Sequence, residues 1–129
     1  MRKIKANLKQ GQALVVLIVF VSIATIIISS AVVVAIINSR LGADTTLSEQ
    51  AYFAAEAGAN EAILALLRSP SYSGGTLSLG DSIATITVSG NPTLTIVSSG
   101  ENNGFVRKVQ VTGTYSGNSF AISSWSEIN

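Results

Sequence analysis

Chemistry in a protein needs nucleophiles, bases or metal ligands at workable spacings, and this chain is short of all three. It has no cysteine and no histidine, which excludes thiol catalysis, disulfide cross-links, Cys/His zinc ligation and any Ser-His-Asp relay. Its seven carboxylates are scattered. Asp81 and Glu101 stand at predicted turns and, with Asn102 and Asn103, offer oxygens of the kind Ca²⁺ takes. The D-x-D-x-D-G spacing of a calcium loop is missing, and turn-forming residues account for these positions without a metal. Gly74-Gly75 and Gly104 precede neither Gly-Lys-Ser/Thr nor a helix, so no phosphate cradle is encoded. Arg107-Lys108 on a strand reads as a solvated edge that discourages further sheet pairing. A net charge of +1 leaves no electrostatic footprint for nucleic acid. The expectation is a protein with no catalytic residue, no metal and no cofactor, hence not an enzyme.

The informative feature is a segment. Arg2, Lys3, Lys5 and Lys9 make the first ten residues basic, and the 25 residues from Ala13 to Ile37 carry no charge. At about 1.5 Å per residue this run is long enough to cross a ~30 Å hydrocarbon core with some tilt. Its β-branched residues would favour a strand in water, but lipid forces internal backbone pairing and hence a helix. Ser22, Thr25, Ser29 and Ser30 can bond back to helix carbonyls. The basic residues before the run place the N-terminus in the cytoplasm and the C-terminus outside. A cleavable secretory signal fits poorly, because the apolar core is too long and Asn38 to Ala43 is a poor cleavage site. An unprocessed signal-anchor is the stronger competitor.

Helical signals continue beyond the apolar run, with Ala, Leu, Glu and Gln from Asp44 to Arg68 and no proline until Pro70. Leu47, Ala51, Ala54, Gly58, Ala62 and Ala65 form a stripe of mostly small side chains, which predicts close packing against helices of other subunits. Phe53, Asn60, Leu64 and Leu67 form a second stripe, and the chain's own C-terminal sheet is expected to lie on Phe53, Leu64 and Leu67. Gly42 is the expected hinge or melted point. After Pro70 the period changes to two. Alternating runs at 76–79, 82–89, 93–98, 105–115 and 119–127 are separated by Gly/Asn/Pro turns, including one from Gly100 to Gly104. The fold class predicted is α+β, a long N-terminal helix whose second half packs on a small antiparallel sheet. The boundaries are a basic leader at 1–11, a membrane or filament-core helix at 12–42, an amphipathic continuation at 43–70 and a β-sheet head at 71–129.

Gly11-Gln12-Ala13-Leu14-Val15-Val16, at the end of a short basic leader and the start of an apolar helix, resembles the prepilin cleavage motif of the type IV pilin superfamily. The stretch from Gln50 to Ala62, with Ala54-Ala55-Glu56-Ala57-Gly58 at its centre, is similar to the corresponding helix of PilX-like minor pilins and of the larger tip pseudopilin of type II secretion. Ile96 to Gly100, returning through Arg107-Lys108-Val109, resembles a strand pair of their heads. The resemblance covers residues 1–68 well and the head loosely. It implies removal of the leader after Gly11 by a membrane aspartic prepilin peptidase, and N-methylation of the new terminus at Gln12. It further implies storage as a single-pass protein of the cytoplasmic membrane, followed by assembly with pilin-like subunits into an extracellular or periplasmic filament. The assembly residues implied are Leu14, Val16, Leu47, Ala51, Ala54, Gly58, Ala62 and Ala65. One departure stands out. Most pilins carry Glu where this chain has Val16, and that Glu is thought to meet a neighbour's terminal amine. Its absence, with the lack of a helix-breaking proline, favours a minor or divergent subunit. The competing readings are an uncleaved anchor with a β-rich binding head and a pseudopilin of a secretion or DNA-uptake machine.

Overall fold

The computed structural model describes residues 2–129, with side chains from Lys9 onward; Met1 and the side chains of Arg2, Lys3 and Lys5, part of the expected leader, lie outside that description. One helix, α1 (Arg2–Arg68), is followed by five strands: β1 (Gly74–Leu79), β2 (Ser82–Ser89), β3 (Thr93–Asn102), β4 (Phe105–Ser116) and β5 (Ser119–Ile128). The strands form one antiparallel sheet in the order β1-β2-β3-β4-β5. This is the predicted α+β class: a long apolar N-terminal helix packed on a small antiparallel sheet. Contacts divide the chain into two units, 1–42 and 43–129. Gly42, at that boundary, is helical rather than melted.

Local chemistry explains the meander. The β3–β4 turn is Asn103-Gly104, at φ 47° and 88°, and the β4–β5 turn is Gly117-Asn118, at φ 56° and 61°. Two successive positive φ values belong to the two-residue hairpins whose twist matches that of strands, and Asn and Gly are the residues that adopt them with least strain. β3 therefore runs on to Asn102, through the segment expected to be a turn from Gly100 onward. Gly100 is a strand residue with another task. A side chain there would collide with the backbone of Ala51 and Ala55 in the helix, so this glycine sets how closely helix and sheet approach.

The core of the second unit lies between the helix and one face of the sheet. Ala55, Ala59, Ala62 and Leu66 meet Ile86, Ile96, Val109 and Val111. Ala51 and Ala54 are buried as well, and Gly58 lies against Ser98 and Ala84. Here the expectation about helix faces is reversed. The small residues Ala51, Ala54, Gly58 and Ala62 pack on the chain's own sheet, with Leu47 and Ala65 half-buried, whereas Phe53, Leu64 and Leu67 are exposed. The physical reason is reciprocity. A sheet that presents Ala84, Ser98 and Gly100 accepts a helix only at short range, and only small helix residues permit that range. Leu66 is the largest side chain of the core that is wholly shielded. Leu66→Ala is expected to lower unfolding stability by about 2–5 kcal/mol, measured by chemical denaturation in detergent; a change within error would mean this interface is not the core.

Candidate functional site

Two regions bear on function, and each is described within its own unit. In the first, Gly11 and Gln12 are helical and exposed, and nothing lies within 4 Å of the place a Gly11 side chain would occupy. Glycine inside a helix is less favourable than alanine by about 1 kcal/mol. The folded chain thus has no steric need for glycine at this position and would be a better helix without it. Leu14 is 57% and Val16 64% exposed, and the exposed apolar surface continues through Phe20 and Ile28 to Ile37. The helix over Lys9–Arg68 is long and apolar enough, by length and composition, to cross a membrane. Water does not tolerate a contiguous apolar surface of this size, so lipid or protein must cover it. Its hydroxyls are satisfied internally. Ser22, Thr25, Ser29 and Ser30 donate to the carbonyls of Ile18, Val21, Thr25 and Ile26 at 2.7, 2.8, 2.8 and 2.9 Å.

In the second unit, two polar ties fix the helix on the sheet. Asn102, buried, donates from Nδ2 to Oε1 of Gln50 on the helix at 2.9 Å and to Oγ of Ser82 on β2 at 2.7 Å. Arg107 belongs to a central strand and to the helix-facing side of the sheet, not to a solvated edge as its sequence context had implied. It donates to Oγ of Ser48 at 2.8 Å, pairs with Glu127 of β5, and holds its guanidinium 5.6 Å from the centre of the Tyr52 ring. One residue thereby links helix, central strand and edge strand. Lys108 belongs to the opposite face of the same strand, by the alternation of side chains.

The hydrogen bond from Arg107 holds the Glu127 carboxyl below its ordinary value of 4.5, and Glu127 in turn raises Arg107. A depressed carboxylate stabilises the fold fully above its unfolded value, and that contribution disappears as pH falls through the folded value. The expected result is a fall in melting temperature below about pH 4.5 that Glu127→Gln reduces. An identical acid profile in the variant would show that this pair contributes nothing.

Asp81 lines an open groove with Gln50, Phe53, Ala57 and Asn102. Glu101 pairs with Ile83 and Val106, on the sheet face that alternation turns away from the helix. The two carboxylates therefore do not converge. Among the described residues there is no group of three or more His, Cys, Asp or Glu side chains placed to hold a metal ion. Sequence reasoning missed the Arg107 junction, whose signal was its place in the alternating series Phe105, Arg107, Val109, Val111. No family model, curated protein or solved structure matches this chain.

Proposed function

We propose that this protein is a structural subunit of a type IV pilus-like filament, held in the cytoplasmic membrane with its N-terminus inside. A prepilin peptidase cuts it after Gly11, Gln12 becomes the N-methylated terminus, and the subunit then joins pilin-like partners through its apolar helix. The observation that carries this reading is Gly11. It sits where the basic leader meets the apolar helix, and the fold neither crowds it nor benefits from it. What separates it from Gly42, which is equally uncrowded, is that junction, and a peptidase that binds substrate in extended form is a reader that glycine suits. Because α1 is helical at Gly11, cutting requires local unwinding, which glycine eases.

The exposed apolar surface from Leu14 to Ile37 serves both stages. Lipid covers it during storage, and other helices cover it after assembly in a heterologous arrangement that does not close on itself. The sheet head gives each subunit a folded, charge-poor exterior. Electron microscopy of material sheared from cells tests the proposal. Filaments that react with antibody to the head are the expected outcome; a chain found only in membranes, at full length, supports an uncleaved anchor instead.

A further inference from the structure

Basic residues guard a sheet edge when they stand on one, but Arg107 and Lys108 belong to β4, inside the sheet. The strands that do form the edges are β1 and β5, and both are open. β5 runs for 10 residues without Lys or Pro, the residues that commonly keep an edge from pairing with another chain. Its one charge, Glu127, is engaged by Arg107. Its one irregularity is an extra residue, Ser123, opposite the step from Thr112 to Gly113. β1 has 6 residues and no charge.

On the helix side, both edges are apolar and incompletely covered. Phe120, Ile122 and Trp125 of β5 pair with Tyr115, Gly113 and Val111 on that face; Phe120 is half-buried, and Ile122 and Trp125 are 49 and 36% exposed. Leu77 and Leu79 of β1 pair with Ala84 and Ser82 on the same face, and Leu79 is 40% exposed. The two edges are also parallel and offset. Through the ladders, Gly74 is level with Thr87, Val97, Gln110 and Ser126, and Thr76 with Thr85, Ser99, Lys108 and Ile128. Residues 77–79 therefore run past the end of β5, and 119–125 lie short of the start of β1.

We propose that β5 of one subunit pairs in parallel with β1 of a second copy, so that heads join edge to edge into one continuing sheet. This rests on the filament reading. Side chains alternate, so the faces of the two copies stay matched only for steps of an even number of residues. A step of four is the smallest that brings all of β1 alongside β5, and it displaces the second copy by about 13 Å along the strands. It sets Leu77 beside Trp125 and Ser78 beside Ser126. The twist of the sheet adds a rotation at each joint. Rotation with displacement winds into a helix and does not close into a ring, as a filament requires. The competing arrangement, β5 antiparallel to β5, turns one copy end for end, uses the long edge of both and stops at a dimer. The β5–β1 joint leaves one β5 and one β1 free, and continues.

The chain has no cysteine, which suits the test. Ser78→Cys is combined in one full-length chain with Ser126→Cys, or with Ser124→Cys for a step of six. Within a subunit the two edges are four strand spacings, about 19 Å, apart, too far for a disulfide, so any bond joins two copies. Sheared filaments are mildly oxidised and run without reductant. A ladder of dimers, trimers and longer species is expected from at least one of the two chains, while Ser78→Cys, Ser124→Cys and Ser126→Cys alone stay monomeric. Ser126→Lys, which guards the β5 edge, is expected to cut filament yield about tenfold with the melting of the head unchanged. Filaments that form without a ladder, a dimer from Ser124→Cys or Ser126→Cys alone, or full yield from Ser126→Lys each overturn this joint and leave the filament reading standing. If the unmodified chain makes no filaments, the filament reading falls and this joint with it.

Discussion

Replacing Gly11 with valine is expected to leave the chain at full length in the membrane and to abolish its appearance in filaments, while the head folds as before. Nothing surrounds the Gly11 Cα on the side where a side chain would project, so valine meets no clash. Valine is also no worse than glycine as a helix former. Loss of function without loss of fold would place the requirement in recognition. An immunoblot should show one slower band for the variant and a faster, processed band for the unmodified chain. Circular dichroism and melting of the purified variant should match the parent. A Gly11→Val chain that is processed and assembled normally would remove the argument from this glycine altogether. Gly42 supplies a control, because it too has open space around it and lies in the helix but outside the motif; Gly42→Ala is expected to leave processing unchanged.

Gly100→Val is expected to have the opposite phenotype, a chain that is cut but whose head no longer folds. Its side chain would enter the backbone of the helix at Ala51 and Ala55, and neither backbone can rotate away as a flexible side chain would. The helix would have to lift from the sheet, exposing Ile96, Val109 and Val111 and breaking the Asn102–Gln50 hydrogen bond beside it. Overpacking of a well-filled interior destabilises by about 1–3 kcal/mol and more where backbone is struck. A thin head with a single helix–sheet interface has little reserve against such a loss. Proteolysis of the purified chain in detergent should then reach the head at protease levels the parent resists. A head as resistant as the parent's would mean that helix and sheet tolerate a wider separation than the structure has.

These two glycines also mark how far the sequence could be read. The period change after Pro70 located all five strands, because alternation and Asn/Gly turns are local signals. The sequence predicts an earlier end for β3, because Gly100 reads there as a turn residue. A glycine in a strand looks the same whether the chain bends there or another backbone comes close, and only the partner distinguishes them. The helix faces were inverted for a related reason. A stripe of Ala and Gly states that something approaches closely, but not whether that neighbour is another subunit or the chain's own sheet. Small residues at Ala84, Ser98 and Gly100 on the sheet resolve the question, and they fall on one face only once register is known. Arg107 was legible in position and not in role. Its partners Ser48 and Glu127 lie 59 and 20 residues away in sequence. The resemblance of Gly11-Gln12 to a cleavage motif is the reverse case, since it is read in sequence order and the folded chain adds only that nothing crowds the glycine.

A filament subunit of this kind must be cut between Gly11 and Gln12, and mass spectrometry of the N-terminal peptide from the chain as it occurs in cells measures this directly. A mature terminus at Gln12 carrying an N-methyl group is the predicted result. A terminus still at Met1 would contradict the proposal, leaving a membrane-spanning helix with a sheet head and no reason to regard it as a filament subunit.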